Sequence, residues 1–242
     1  MLINEFTVTP SNEFSIDTAV QFHDELNPKI FQGNTMRPEI REGLLKIAQH
    51  FEEFIGVKLN IVDITVSGSN AAFSYTVQSD LDLHLVVEVP DEPEYAELLD
   101  AKKNVYNAKH DIKVKGIDVE LYAQPAEQKH YSLGIYSVMN DSWVSEPTQQ
   151  QADINENDVH DKYKNYRDRI RVVLKDNDLD TAEEMWNDVS RMRKAGLASN
   201  GEFSTENVVF KMLRGQGWLE KLKAHIANLQ DQELSIEQRT GL

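Results

Sequence analysis

The chain has 242 residues, 40% hydrophobic and 27% charged, a mix typical of a globular protein that buries its own core. It contains no cysteine, which excludes disulfides, thiolate metal sites and a cysteine nucleophile. No stretch approaches the roughly 18 apolar residues of a spanning helix, and the first residues lack the basic start of a signal peptide. We therefore expect a cytoplasmic protein without a membrane partner.

The charge is negative and unevenly distributed. There are 41 acidic and 25 basic residues, for a net charge of −16, and residues 1–150 alone carry 24 acidic and 11 basic side chains. A protein that binds duplex DNA needs a basic surface, so duplex DNA is not an expected partner. Two explanations of the acidic excess stay open, namely solubility and metal ligands.

In chain order, residues 1–147 predict a mixture of helices and strands. A short helix is expected from Ser15, and a longer one from Pro38 to a left-handed cap at Gly56. β-branched and alternating patterns then predict several strands. One ends at Gly68, others span 81–89 and 130–139, and residues 112–125 form one or two strands broken near Gly116. A helix is predicted from Tyr95 to Lys109.

After Pro147 the composition changes. Residues 148–157 form a polar linker, and residues 158–242 show helical periodicity throughout. A capping box of Asp180 and Glu183 is predicted to begin one of these helices. The expected fold class is therefore α+β, with a small mixed sheet, flanking helices and a C-terminal helical domain.

Residues 64–89 carry the most informative pattern. A hydrophobic strand ends at Gly68 and Ser69, where a glycine lets a phosphate approach the backbone and a serine offers a hydroxyl. Asp80 and Asp82 follow, and because side chains alternate along a strand, they share one face about 7 Å apart at their roots. Paired carboxylates suit a hard cation such as Mg²⁺. His84 continues this face, either as a hydrogen-bonded structural histidine or in contact with phosphate or metal.

A third carboxylate would complete such a site. The strand-like segment GIDVELYAQP supplies Asp118 and Glu120, again on one face. Glu120 lies within the apolar strand, where a carboxylate is costly unless it is paired or bound to metal. We favour Glu120 as the third ligand and keep Asp118, nearer the start of the strand, as the alternative.

The order Gly68-Ser69, a gap of ten residues, Asp80-Leu81-Asp82 and a later acidic strand resembles the polymerase-beta type of nucleotidyltransferases. The family's hydrophobic residue directly before the glycine is one place off here, where Val66 and Ser67 precede Gly68. The resemblance covers roughly residues 57–125. The wider chain resembles nucleotidyltransferases of tailed bacteriophages, through LNPKIF, SDLDLHLVVEV, GIDVELYAQ and GEFSTENVVFKMLRGQG.

The resemblance implies a fold, a reaction and a place in the cell. Gly68 and Ser69 would hold the triphosphate of a nucleoside triphosphate such as ATP. Asp80, Asp82 and Glu120 would bind two Mg²⁺ ions, or Mn²⁺, for transfer of a nucleotide to a hydroxyl. The acceptor would be an RNA end, a protein or a small molecule. The location would be the host cytoplasm if the protein is phage-encoded.

The helical half offers basic side chains. Lys211 and Arg214 lie one turn apart on an amphipathic helix and are candidate phosphate contacts. A solvated face with ion pairs is the alternative for them and for the other Lys and Arg residues of this half.

Two other functions stay open beside nucleotidyl transfer. One is a related pyrophosphate transfer of the kind that alarmone synthetases carry out, since these enzymes also have a late strand glutamate. The other is a nucleotide-binding or assembly protein that keeps the fold without turnover.

Overall fold

The computed structural model describes residues 16–89, 93–128, 132–149 and 154–235. These residues divide into two compact units, one within 21–151 and one formed by 16–20 together with 154–235. The division differs from the predicted boundary of 1–147 because Ile16, Ala19 and Val20 lie in the hydrophobic core of the helical unit. The predicted linker lies partly outside the described residues.

Along the described residues, the elements in chain order are α1 (Ile16–Ala19), β1 (Phe31–Gln32), β2 (Thr35–Met36), α2 (Pro38–Ile55), β3 (Asn60–Ser67), β4 (Leu81–Glu88), α3 (Pro93–Lys109), β5 (Lys113–Val114), β6 (Ile117–Pro125), β7 (Ile135–Ser137), β8 (Ser142–Ser145), α4 (Glu156–Val173), α5 (Leu179–Asn200), α6 (Thr205–Gly215) and α7 (Trp218–Leu234).

The sheet of the first unit has six strands in the order β5-β6-β4-β3-β7-β8. β4 and β6 are parallel, whereas the other neighbouring strands are antiparallel. Parallel neighbours need a long connection, and α3 lies between β4 and β6 in sequence. The predicted α+β class with a small mixed sheet is thus confirmed.

One face of β4 forms the centre of the sheet unit's core. Leu81, Leu83, Leu85 and Val87 are fully buried there and belong to the same apolar cluster as residues of α2, among them Ile40, Leu44 and Phe51. A fully buried leucine contributes roughly 1.5–3 kcal/mol to stability. The alternate side chains of β4, among them Asp82 and His84, lie on the opposite face.

The predicted boundaries hold for some elements and fail for others. α2 begins at Pro38 and ends at Ile55, and the predicted left-handed cap follows at Gly56, whose φ is 78° and whose backbone N–H donates to Glu52 O. The helix expected from Ser15 is a single turn, α1. The strand expected over 130–139 is the three-residue β7, and residues 129–131 lie outside the described part of the chain.

The helical unit has its own apolar core, built from one stripe on each helix. Its fully buried members include Val159, Ile170, Val189, Val208 and Leu213.

The capping box predicted at Asp180 and Glu183 is wrong. α5 begins two residues earlier than that box implies. Asp178 Oδ1 accepts a hydrogen bond from Thr181 N at 3.0 Å and is the N-cap. Ser204 is the N-cap of α6, and its Oγ accepts a hydrogen bond from Asn207 N at 3.2 Å. None of the helices within the described residues is long and apolar enough to cross a membrane.

Candidate metal centre

Two aspartates flank the first residue of β4. Asp80 lies directly before Leu81, and Asp82 directly after it. Leu81 and Leu83 are fully buried in the core. Because side chains alternate along a strand, Asp80 and Asp82 are directed to the other face, as the sequence predicts.

Glu120 joins them from β6. The parallel register of β4 and β6 pairs Asp82 with Glu120. One carboxylate oxygen from each of Asp80, Asp82 and Glu120 lies within 4.8 Å of the other two, and all three residues are half-buried. Among the residues that the structure describes, no other group of three or more acidic or histidine side chains has this spacing.

This set of donor atoms suits a hard divalent cation. Mg²⁺ binds oxygen at about 2.0–2.1 Å, so two ligands of one ion lie up to about 4.2 Å apart. The carboxylate oxygens, within 4.8 Å of one another, are close to that limit. Three negative charges at this spacing repel each other, and a bound cation would offset the repulsion. The group could therefore hold a metal ion.

Gly68 brings the backbone of the neighbouring strand against Asp82. β3 pairs Ser67 with Asp82, and Gly68 follows with a φ of 76° and a ψ of −166°. That region of backbone conformation is nearly exclusive to glycine. A Cβ at this position would lie 2.0 Å from Asp82 Oδ2. Both the backbone and the carboxylate thus require glycine here.

Side-chain hydrogen bonds close the segment between Gly68 and Asp80. A single 3-10 turn, Ser69–Ala71, follows the glycine. Ser69 Oγ donates to Ser79 Oγ at 2.8 Å, and Ser79 Oγ also accepts from Thr76 N at 2.9 Å. The gap of ten residues in the motif is therefore a compact loop that holds Ser69 near the start of β4.

A buried histidine continues the acidic face. His84 Nε2 lies 3.0 Å from Ser67 Oγ, and its Nδ1 lies 2.9 Å from Gln124 Oε1. The ring stacks on Tyr122, with centroids 4.7 Å apart and an interplanar angle of 13°. His84 thus has the hydrogen-bonded environment of a structural histidine.

Tyr122 lies against the His84 ring and close to the carboxylates of Asp82 and Glu120. Burial raises the pKa of its hydroxyl, and the negative charges of Asp82 and Glu120 raise that pKa further. The hydroxyl therefore keeps its proton and can donate it in a hydrogen bond to the Glu120 carboxylate. Tyr122 is directed to the same face as Glu120 because the two residues are two positions apart on β6.

The other predicted site residues have different surroundings. Asp118, the alternative third carboxylate, is exposed and ion-paired with Lys113 of β5. Lys211 belongs to the helical unit, where its Nζ lies 3.1 Å from Glu202 Oε1. Arg214 is in the last turn of the same helix. The assignment of Lys211 and Arg214 to phosphate binding stays a prediction.

The sequence analysis missed two contributors, Tyr122 and Asn70. Alternation from Glu120 could have indicated Tyr122. Asn70 gives no local signal, because its buried amide bonds to backbone atoms nine and ten residues further along the chain.

The sheet and its acidic group define the class of protein as α+β with a candidate metal centre. No protein-family model and no curated protein matches the chain. Among solved structures, the chain is similar to the STING-associated CdnE c-di-GMP synthase from Capnocytophaga granulosa. The identity is 13%, the match covers 82% of this chain and 84% of that one, and the TM-score is 0.20.

Proposed function

We propose that the protein is a Mg²⁺-dependent nucleotidyltransferase, which moves a nucleoside monophosphate from a nucleoside triphosphate to an acceptor hydroxyl. The observation that carries the proposal is the group of Asp80, Asp82 and Glu120, with carboxylate oxygens within 4.8 Å of one another, beside the turn at Gly68. Acidic groups alone are common. A glycine turn lets a phosphate approach the backbone, and a carboxylate beside it can bind the cation that accompanies the phosphate.

In this proposal the three carboxylates hold Mg²⁺, or Mn²⁺ in its place. When bound, the cation would neutralise charge on the phosphates and on the attacking and leaving oxygens. Tyr122 would support the ligand set, because its hydroxyl can donate a hydrogen bond to Glu120 and so orient that carboxylate.

The turn at Gly68 would receive the phosphates of the nucleotide. Ser69 offers its hydroxyl, which donates to Ser79 Oγ at 2.8 Å and can turn to donate to a phosphate oxygen instead. Asp82 lies against the same turn. A phosphate placed there would be repelled by Asp82 without a cation between them, so nucleotide and metal would bind together.

The transfer step forms one bond and breaks one. The acceptor oxygen bonds to the α-phosphorus, the bond from that phosphorus to the pyrophosphate oxygen breaks, and pyrophosphate leaves. The hydroxyl proton of the acceptor would pass to Glu120. The acceptor classes are an RNA end, a protein or a small molecule. The excess of acidic side chains in residues 1–150 argues against duplex DNA as the acceptor.

The experiment supplies each nucleoside triphosphate, radiolabelled at the α-phosphate, to the purified protein with Mg²⁺ and a cell extract that contains RNA, proteins and small molecules. We expect label to move to one acceptor class. Asp82→Asn should abolish the transfer, whereas the matched variant Asp118→Asn should preserve it because Asp118 is exposed and paired with Lys113.

A parallel reaction with label at the γ-phosphate separates the alternatives. Label that moves only from the γ-position would identify pyrophosphate or phosphate transfer. Equal transfer by the wild type and Asp82→Asn would contradict the proposal.

A further inference from the structure

A chain of buried amides leads to the backbone of Asp80. Asn70 is fully buried and Asn27 is 7% exposed. The N–H of Lys29 donates to Asn27 Oδ1 at 3.1 Å, and Asn27 Nδ2 donates to Asn70 Oδ1 at 2.7 Å. Asn70 Nδ2 then donates to the carbonyl oxygens of Ser79, at 2.9 Å, and Asp80, at 2.8 Å.

The direction of every hydrogen bond in this chain is determined by its two ends. The Lys29 N–H can only donate, so it fixes the oxygen of Asn27. The carbonyl oxygens of Ser79 and Asp80 can only accept, so they fix the nitrogen of Asn70. Between these ends, the Asn27 amide nitrogen donates to the Asn70 amide oxygen. Each of the two amide groups therefore has one orientation that satisfies all of these hydrogen bonds.

Asp80 is the ligand candidate that most needs such support. The pairing of β4 with β6 starts at Leu81, and its pairing with β3 reaches Asp82. Asp80 lies just beyond both ladders, whereas Asp82 and Glu120 lie within them. Asn70 donates to the carbonyl of Asp80 where the ladder pairing has ended.

We propose that Asn70, oriented by Asn27, is a positioning residue that holds Asp80 within reach of Asp82 and Glu120. This inference rests on the proposed function, because it assigns a role toward the same metal centre. A buried amide also stabilises the fold, so the test must separate metal affinity from stability.

Three variants of the full chain separate an effect on metal affinity from an effect on stability. Asn70→Ala removes both hydrogen bonds to the backbone of Ser79 and Asp80. Asn27→Asp keeps the acceptor for Lys29 but presents an oxygen to Asn70 Oδ1, which favours rotation of the Asn70 amide and loss of the same two bonds. Tyr136→Phe is the matched control for stability.

The control removes hydrogen bonds elsewhere in the same unit. Tyr136 OH accepts from Met36 N at 3.2 Å and donates to Asp141 Oδ1 at 2.8 Å. Loss of the Tyr136 hydroxyl should lower the stability of the sheet unit without changing the loop that carries Asp80.

The readouts are Mn²⁺ affinity, from electron paramagnetic resonance of the free ion, and stability, from urea unfolding. We expect Asn70→Ala and Asn27→Asp to weaken Mn²⁺ binding about 10- to 100-fold, the usual effect of losing a residue that orients a ligand. Tyr136→Phe should leave Mn²⁺ affinity unchanged. Wild-type affinity in both asparagine variants would overturn the positioning role, and if Asn70→Ala does not fold, Asn27→Asp decides.

Asp82→Asn separates this inference from the proposed function. If Asp82→Asn loses Mn²⁺ affinity and the asparagine variants keep it, only the positioning role is refuted. If Asp82→Asn binds Mn²⁺ as the wild type does, the ion binds elsewhere, and the proposed metal centre and the positioning role both fail.

Discussion

Replacing Gly68 with alanine tests the link between the turn and the acidic group. The added Cβ would lie 2.0 Å from Asp82 Oδ2 and 3.2 Å from Asp82 Cγ. Ordinary contacts are about 3.5 Å or longer, so the oxygen must move by about 1.5 Å. Metal–ligand distances tolerate only about 0.2 Å. We therefore expect Gly68→Ala to remove Asp82 from the ligand set and to weaken Mn²⁺ binding at least tenfold.

The same substitution also strains the backbone. A φ of 76° with a ψ of −166° costs a residue other than glycine about 1–3 kcal/mol of folding stability. Gly56→Ala is a suitable control, because Gly56 has a φ of 78° and its added Cβ would meet nothing within 4 Å. That left-handed conformation costs alanine about 1–2 kcal/mol, so the two variants have comparable backbone strain and differ in the contact with Asp82.

The assay is Mn²⁺ titration of both variants beside urea unfolding of each. Only Gly68→Ala should lose the ion, although both variants should unfold at lower urea concentration than the wild type. Wild-type Mn²⁺ affinity in Gly68→Ala, or an equal loss in Gly56→Ala, would refute the reasoning.

Three further predictions concern metal, pH and helix packing. Glu120→Gln should raise the melting temperature in EDTA, because it relieves repulsion, and should abolish the stabilisation that Mg²⁺ gives the wild type, about 2.7 kcal/mol at 100 times the dissociation constant. The hydrogen bond from Arg169 lowers the pKa of Asp188. The stabilisation that ionised Asp188 gives the folded protein should therefore be present above pH ~3.9 and be lost as the pH falls further. In urea unfolding across this range, Asp188→Asn should lack the loss of stability that protonation of Asp188 causes in the wild type. Gly196→Ala should destabilise the helical unit in thermal unfolding despite alanine's helix propensity, because its Cβ would lie 2.5 Å from the Cβ of Glu206; a higher melting temperature would contradict this.

The sequence predicts those parts of the candidate site that depend on local periodicity. Asp80 and Asp82 share a face because strand side chains alternate, whatever the rest of the sheet does. The pairing of Asp82 with Glu120 depends on the register of two strands with a whole helix between them. No local pattern fixes that register, so the sequence left the choice between Glu120 and Asp118 open.

Capping residues show a similar limit. Asp180 and Glu183 fit a capping box, yet Asp178 provides the N-cap of α5. Both aspartates satisfy the local preference, so the local sequence does not decide between them. Asn70 was missed for a related reason, since a buried amide differs from an exposed one only through its tertiary partners.

The helical unit is assembled from two distant parts of the chain, and this separation affects the order of folding during synthesis. α1 packs against α6, and about 185 residues separate the end of one from the start of the other. At about 5–20 residues per second, the ribosome takes about 10–40 s to make that stretch. The sheet unit is contiguous and can fold within this interval. Ile16, Ala19 and Val20 must meanwhile stay without their final apolar partners, so we expect the helical unit to fold last.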